Sequence, residues 1–330
     1  MLTTPLGRTG LSVSRIGVGL AALGRPGYIN LNHAEDLGRD YDPAAMQART
    51  NEVLDAAWAA GVRYFDAARS YGRAEQFLAT WLERRAIDPD AVAIGSKWGY
   101  TYTAEWRVEA DRHEVKDHSL ATLERQLAES RGWLGAHLDL YQIHSATLES
   151  GVLENAGVLE RLARVREQGV AVGLSLSGPR QAETLRVAMR TRVGDVPLFD
   201  TVQATWNLLE PSVGPALREA HAAGMGVIVK EALANGRLTE RNAAPDFAAR
   251  SRLAAVARRL SCTIDQLALA AVLAQPWVDV VLSGAARVDH LHANLGALAM
   301  RWDDAAAEAL RGIAEPPAGY WETRGRLAWN

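Results

Sequence analysis

The strongest constraint on the fold is a junction that recurs along the chain, in which a helical run ends at a glycine and a short apolar run follows. The glycines are Gly61, Gly169 and Gly224. A glycine at such a point can adopt the left-handed conformation that ends a helix, after which the chain passes directly into a strand. The repeated unit is therefore a helix followed by a strand, as in folds whose parallel strands alternate with helices.

Eight apolar runs supply candidate strands, and several are apolar almost throughout, as in parallel strands covered on both faces. The runs are Ser14–Ala22, Tyr64–Ala68, Val92–Trp98, Leu138–Ser145, Ala171–Ser177, Thr201–Trp206, Val227–Glu231 and Val278–Ser283. Eight strands joined by crossovers long enough for helices predict a (β/α)8 TIM barrel, an α/β fold. An open doubly wound sheet would instead place a G-x-G-x-x-G fingerprint after the first strand, and Gly17 and Gly19 do not continue that spacing.

The composition and charge narrow the number of domains and the class of partner. A length of 330 residues suggests two domains, but α/β barrels reach that length as one, so a single barrel domain over residues 1–330 is expected. The net charge of −3 gives no electrostatic footprint for nucleic acid or an anionic membrane surface. No apolar stretch approaches the roughly 18 to 20 residues that span a bilayer, and the N-terminus lacks a secretory signal pattern.

Cysteine and histidine usage adds two expectations. The single cysteine, Cys262, cannot form an intramolecular disulfide, which favours a reducing compartment and a cytoplasmic protein. His113, His118, His290 and His292 have no ligand spacing that is typical of metal sites, so no metal is expected.

Two segments exceed ordinary connections between strands and helices. They are Arg25–Thr50 and Gly99–His118, and because both follow strands they are expected on the C-terminal rim of the barrel. The first segment turns polar beyond Tyr28 and has little apolar surface for permanent packing. It is expected to be a mobile loop that helps to enclose substrate, unless residues 42–50 begin the first helix early.

Polar residues stand at the ends of the candidate strands. Asp66, Lys97 and His144 each follow an apolar run, and the series continues with Ser175, Gln203, Lys230 and Ser283. In a barrel these ends converge on one mouth, where the chemistry of such enzymes is found. Taken singly, Asp66 and Lys97 could also form a structural ion pair, and His144 could be an interior histidine with its hydrogen bonds satisfied.

The chain resembles the aldo-keto reductases in the order and local context of its motifs. The similar runs are Phe65–Gly72, Gly95–Trp98, Leu140–Ser145, Val202–Leu209 and Leu282–Ala285, and Pro5–Gly17 looks like the N-terminal hairpin of that family. The resemblance implies reversible hydride transfer between a nicotinamide cofactor and a carbonyl or alcohol. It also implies that Asp66, Tyr71, Lys97 and His144 are the catalytic residues.

The chemistry of carbonyl reduction independently requires an acid, a cation and a hydrogen-bond donor such as these four residues supply. Hydride addition leaves an alkoxide that needs a proton, and Tyr71 can give one if its pKa of about 10 is lowered towards neutrality. The charge of Lys97 would favour tyrosinate, while Asp66 keeps the ammonium ionised and in place. His144 can hydrogen-bond the carbonyl oxygen and orient it.

A cofactor cradle is expected where the eighth strand ends. Ser283, Gly284 and Ala285 precede a helical run over Val288–Leu298, whose free N–H groups could receive a pyrophosphate. The resemblance extends to Asn294 in that helix, which is expected to contact the cofactor.

The resemblance also places Ser175 and Gln203 at the nicotinamide carboxamide. Lys230 lies where an aromatic residue commonly stacks on nicotinamide, and it could contact substrate, pair with Glu231 or cover the ring with its methylenes. Arg287 could meet an adenosine 2′-phosphate, because arginine suits that geometry, although a solvated arginine at a helix end is an equal alternative. NADP(H) is favoured mainly by the resemblance, and NAD(H) is the alternative.

Large aromatic residues suggest an apolar substrate pocket. Tyr28, Trp98 and Tyr102 are the expected substrate contacts, and each could equally pack within the core or a loop. The leading hypothesis is an NADP(H)-dependent oxidoreductase that reduces a small aldehyde or ketone, with Tyr71 as proton donor. The alternatives are an NAD-dependent dehydrogenase of a sugar, polyol or lactol, and a nicotinamide-sensing regulatory subunit with little turnover.

Overall fold

Eight parallel strands close into a barrel in the computed structural model, which describes residues 3–242, 244 and 247–330. In chain order they are Ile16–Gly19, Tyr64–Asp66, Ala93–Trp98, Leu140–Ala146, Ala171–Leu176, Thr201–Thr205, Gly226–Lys230 and Val280–Ser283. Each strand pairs with its sequence neighbour, and the eighth pairs with the first through Val281 and Ile16. The prediction of a single (β/α)8 barrel is confirmed, and an open doubly wound sheet is excluded.

Helices follow the strands and cover the outside of the barrel. The helices that surround the barrel are Pro43–Ala59, Ala74–Arg84, Leu120–Leu134, Ala156–Glu167, Gln181–Arg190, Gly214–Ala222, Arg250–Arg259, Ile264–Leu273 and Val288–Gly296. Two further helices, Asp304–Ala309 and Pro317–Gly325, follow the last of these in the chain. Gly61, Gly169 and Gly224 have φ values of 88°, 90° and 83°, which confirms the predicted junctions between helix and strand. No helix in the described ranges is long and apolar enough to cross a bilayer.

An antiparallel hairpin closes the N-terminal end of the barrel, as predicted. Its strands are Thr3–Pro5 and Ser12–Ser14, and Leu6 between them is fully buried against apolar residues of the barrel strands. The contact requires a glycine at Gly226, since a Cβ there would lie 2.7 Å from Leu6 Cγ. The open end of the barrel is therefore the C-terminal end.

The first long rim segment is shorter and better packed than its sequence suggests. Asp42 caps the helix Pro43–Ala59 by accepting hydrogen bonds from two first-turn N–H groups, so the early start of the helix is correct. Before it, a short helix over His33–Asp36 and the following Leu37 bury side chains against the barrel. The expectation that this segment lacks surface for permanent packing is wrong.

Two other segments complete the rim. Within Gly99–His118, Tyr100–Tyr102 pairs with Glu114–Lys116 as an antiparallel hairpin. The C-terminal residue Asn330 exchanges two backbone hydrogen bonds with Tyr28, at 3.2 and 3.3 Å. The C-terminal segment is thereby held against the first rim segment, beside the barrel mouth.

Candidate active site

A cavity of ≈ 470 Å³ lies at the C-terminal end of the barrel. The strand ends contribute Asp66, His144, Gln203, Lys230 and Ser283 to its wall, as the convergence of parallel strands predicts. The rim supplies the rest of the wall.

Lys97 and Asp66 form a buried ion pair beneath this cavity. The two side chains have relative exposures of 0% and 2%. Lys97 Nζ donates to Asp66 and also to the carbonyl oxygen of Ala67 at 2.9 Å. The second carboxylate oxygen of Asp66 accepts from Gln203 Nε2 at 2.9 Å and from Gln142 Nε2 at 3.3 Å. These partners satisfy charges that burial would otherwise destabilise.

Tyr71 lies next to this pair, with its hydroxyl 3.4 Å from Lys97 Nζ. The tight turn that places it needs the glycine at Gly72, which has a φ of 59° and whose Cβ would lie 2.4 Å from the Gly24 carbonyl oxygen. Burial, followed by the negative charge of Asp66, raises the pKa of Tyr71 well above its usual value of 10. The expectation of a pKa lowered towards neutrality is corrected, because burial and the charge of Asp66 outweigh the charge of Arg25. The phenol is protonated at neutral pH.

His144 reaches the cavity because the strand that holds it is irregular. The pairing of the fourth and fifth strands shifts between Ile143 and Ala146, and Ser145 between them has a φ of 53°. Burial, together with the charge of Lys97, lowers the pKa of His144 well below 6.5. The imidazole is therefore neutral, with its Nδ1 3.4 Å from the Ser70 hydroxyl oxygen.

The predicted cofactor cradle lines the cavity at the end of the eighth strand. Ser283, Gly284, Ala285 and Asn294 all contribute to the wall, and Asn294 Nδ2 donates to Ser283 Oγ at 2.8 Å. The helix Val288–Gly296 begins here without a side-chain cap, so its first N–H groups are open to a ligand. A Cβ at Gly284 would meet nothing within 4 Å, which leaves room at the backbone. These features fit a pyrophosphate group.

Two predicted cofactor residues lie off the cavity. Ser175 is fully buried, and its Oγ accepts from the backbone N–H of Ser145 at 2.8 Å, while Ser177 lies on the cavity wall instead. Arg287 is exposed and forms two hydrogen bonds of 2.9 Å with Asp289, two residues away. Ser175 and Arg287 therefore do not line the cavity, although both were expected to contact the cofactor.

Arg241, a further cation on the cavity wall, lies beyond the cradle, and no pattern in the sequence marks it. It donates to both carboxylate oxygens of Asp36 at 2.5 and 2.8 Å, and its Nη2 is 2.7 Å from His290 Nε2. Arg241 and Asp36 are 205 residues apart in the chain, so no local pattern could identify the pair.

Lys230 belongs to a second ion-pair network at the cavity wall. Its Nζ donates to Thr205 Oγ1 at 3.0 Å and lies 3.9 Å from Glu231, which also accepts a bidentate pair from Arg324 of the C-terminal helix. Burial lowers the pKa of Lys230 to about 8. Burial opposes ionisation of Glu231, yet Arg324 and Lys230 hold its pKa to about 2. Of the three possibilities for Lys230, the structure shows the contact with Glu231.

The aromatic predictions are only partly matched. Tyr28 lines the cavity, but Trp98 has no exposed surface and packs edge-on against His118, with ring centroids 5.6 Å apart. Its prediction as a substrate contact is wrong, because the indole points into the core. Tyr102 lies on the rim hairpin and is not one of the residues that line the cavity. Trp329, near the end of the chain, lines the cavity in their place.

Comparison with known proteins identifies the family of the chain and solved structures with the same fold. The model of the Aldo/keto reductase family matches residues 15–315. The aldo-keto reductase str7 of Strobilurus tenacellus is 25% identical, with 92% of this chain and 89% of that protein covered. The NADH-specific methylglyoxal reductase of Escherichia coli is 24% identical, with 96% and 99% covered. The holo form of an aldo-keto reductase from Bacillus halodurans matches the fold with a TM-score of 0.71 at 21% identity, over 96% and 97% of the two chains.

Proposed function

The chain belongs to the aldo/keto reductase family, and on this premise we propose that it reduces an aldehyde or ketone to an alcohol, with hydride from a reduced nicotinamide dinucleotide. The supporting observation is that a protonated phenol, a buried ammonium and a neutral imidazole meet at one wall of the cavity. These groups belong to Tyr71, Lys97 and His144.

Tyr71 is the proton donor in this proposal. Its raised pKa keeps the proton on the phenol until substrate arrives. An alkoxide is a far stronger base than a phenolate, so the proton moves to the carbonyl oxygen as that oxygen gains negative charge. The ammonium of Lys97, 3.4 Å from the phenol oxygen, stabilises the tyrosinate that is left. Asp66 is a positioning residue whose carboxylate pairs with the Lys97 ammonium and holds it in place.

His144 orients the carbonyl group. In this proposal the Ser70 hydroxyl, 3.4 Å from Nδ1, is assigned as the donor to that nitrogen, so that the ring carries its hydrogen on Nε2 and donates it to the carbonyl oxygen. A neutral donor suits this role, because it polarises the carbonyl without competing with Tyr71 as the acid.

A bound nicotinamide dinucleotide supplies the hydride. Ser283, Gly284 and Ala285, with the open helix N-terminus behind them, would hold its pyrophosphate, and Asn294 would support the cradle. Gln203, on the cavity wall, would face the nicotinamide end.

The resemblance favours NADP(H) over NAD(H), and the charge at the far end of the cavity bears on that choice. Arg241 is a better candidate than Arg287 to meet a 2′-phosphate, since it lines the cavity. Asp36 already engages Arg241, however, and would lie beside the phosphate. We propose NADP(H) as the cofactor, and we infer that the negative charge of Asp36 weakens the binding of its 2′-phosphate.

A turnover screen tests the proposal. The purified protein is mixed with NADPH, NADH, NADP⁺ or NAD⁺ and a panel of aldehydes, ketones and sugars, and the nicotinamide absorbance is followed. Oxidation of NADPH by an aldehyde or ketone is the expected result. Oxidation of sugars with NAD⁺ alone would favour the dehydrogenase, and retained cofactor with negligible turnover would favour the sensing subunit.

A further inference from the structure

Arg25 is a buried cation on the wall of the cavity, directly beside Tyr71. It is 3% exposed, and its guanidinium carbon lies 5.2 Å from the ring centroid of Tyr71. The rings of Tyr28 and Trp329 lie 5.3 and 4.8 Å from the same carbon. Three aromatic rings therefore surround this guanidinium, and all three belong to residues that line the cavity.

Only one side of the Arg25 guanidinium is used. Nη1 donates to the Ser70 carbonyl oxygen at 3.0 Å and to Glu114 at 2.9 Å. Nε is buried without a hydrogen-bond partner among the described residues, and none of them bonds Nη2. The edge that Nε and Nη2 form is the one that binds a carboxylate through two parallel hydrogen bonds. A buried donor edge without an acceptor is costly, so its persistence beside Tyr71 points to a ligand.

Arg69 shows what completes such an edge in this same protein. Its Nη1 contacts Glu75, and its Nε and Nη2 contact the carboxylate of Glu129 at 2.9 and 2.8 Å. Arg25 repeats the first half of this arrangement, with Glu114 in the place of Glu75. No second carboxylate of the described residues occupies this edge, and Arg25 is one of the residues that line the cavity.

The charge around the catalytic end of the cavity also favours an anion, because the cations there outnumber the carboxylates. The cations are Arg25, Lys97, Lys230 and Arg324, and the carboxylates are Asp66, Glu114 and Glu231. Since His144 is neutral, it does not alter this balance. Burial strengthens the attraction between the guanidinium and an anion, because little water screens it.

We propose that the free edge of Arg25 binds a carboxylate of the substrate, so that the physiological substrates are small oxo acids. This inference rests on the proposed function. The carboxylate pairs with Nε and Nη2 of Arg25, and the adjacent carbonyl faces Tyr71 and His144. Hydride adds to the carbonyl carbon, Tyr71 gives its proton to the oxygen, and the product is the hydroxy acid.

Binding of oxamate, a non-reducible analogue of a 2-oxo acid, tests the proposal independently of turnover. Isothermal titration calorimetry compares oxamate with uncharged oxamide, in the presence and absence of NADPH or NADH. Wild type should bind oxamate more tightly, and Arg25→Lys, which keeps the charge but loses the fork, should weaken oxamate binding about 10- to 100-fold. Glu114→Gln should strengthen it, because a neighbouring negative charge is removed.

Arg186→Lys is the matched control, since Arg186 uses the same Nε and Nη2 edge on Glu219 at the outer surface. Its oxamate affinity should equal that of wild type. Equal affinity of wild type for oxamate and oxamide, or an unchanged affinity in Arg25→Lys, overturns the proposal. Inorganic phosphate that binds more tightly than oxamate, with the same dependence on Arg25, also overturns it and indicates a phosphorylated substrate.

Turnover separates this inference from the proposed function. The kcat/KM ratio of pyruvate to 2,3-butanedione should fall in Arg25→Lys by the same factor as the oxamate affinity. Reduction of neutral carbonyls without binding of oxamate refutes the oxo-acid inference and leaves the reductase in place. Binding of oxamate that depends on Arg25, in a protein that reduces no carbonyl, refutes the reductase and leaves the carboxylate site in place.

Discussion

Replacing Asp66 with asparagine should destabilise the protein by about 3–5 kcal/mol, the range for removing one partner of a buried ion pair. The Lys97 side chain has no exposed surface, so water cannot take the place of the carboxylate. Asparagine keeps one acceptor oxygen, but its NH2 group would face donors such as Gln203 Nε2, which now lies 2.9 Å from the carboxylate. The variant therefore leaves an unpaired buried charge and at least one unpaired donor.

A double-mutant cycle isolates the charge. Lys97→Met combined with Asp66→Asn removes both charges, and the double variant should be more stable than Asp66→Asn alone. Unfolding in urea, followed by tryptophan fluorescence, gives the free energies of all variants. Glu219→Gln, which breaks an exposed pair with Arg186, is the control and should lose no more than about 1 kcal/mol. A loss below about 1 kcal/mol in Asp66→Asn, or strictly additive effects in the double variant, would refute the assignment of a buried pair.

Two further predictions concern the charges at the cavity wall. Glu231→Gln should destabilise the protein relative to wild type by a constant amount above pH 4.5, and the difference in stability should shrink as the pH falls towards about 2, because the folded-state pKa of Glu231 is depressed to about 2. Acid titration of both proteins by circular dichroism measures this difference. A difference in stability that does not change with pH would contradict the prediction. Asp36→Asn should shift the ratio of NADPH to NADH affinity towards NADPH by at least about fivefold, since two unit charges 4 Å apart interact by about 1 kcal/mol even in bulk water. Fluorescence titration of both cofactors measures this shift. Arg287→Ala is the control and should change the ratio little, because Arg287 is paired with Asp289 outside the cavity. A ratio that changes in Arg287→Ala and not in Asp36→Asn would contradict the prediction.

The barrel could be predicted from the sequence because its signals are local. Parallel strands buried on both faces produce continuous apolar runs, and a glycine such as Gly61 ends the preceding helix in a left-handed conformation. The candidate site could be predicted from the strand ends, because a closed barrel brings Asp66, Lys97 and His144 together once the strands are correctly ordered.

The rest of the site depends on contacts that no local pattern records. Arg25 pairs with a carboxylate 89 residues away, and Trp329 lies on the cavity wall beside the pairing of Asn330 with the backbone of Tyr28. Trp98 was wrongly predicted to contact substrate because it follows Lys97 directly. Side chains alternate along a strand, so the side chain after Lys97 points into the core. The raised pKa of Tyr71 also follows from burial, which the sequence does not report.

Tyr71→Phe tests whether Tyr71 is the proton donor, because it removes only the hydroxyl that is proposed to give the proton. Cofactor dissociation constants from fluorescence titration should match wild type, while kcat for carbonyl reduction should fall by about 10²- to 10⁴-fold, the usual contribution of a general acid. Tyr102→Phe, which removes the hydroxyl of a rim tyrosine that does not line the cavity, should keep wild-type kcat. A Tyr71→Phe variant that folds, binds cofactor and reduces carbonyls at the wild-type kcat would show that another group donates the proton.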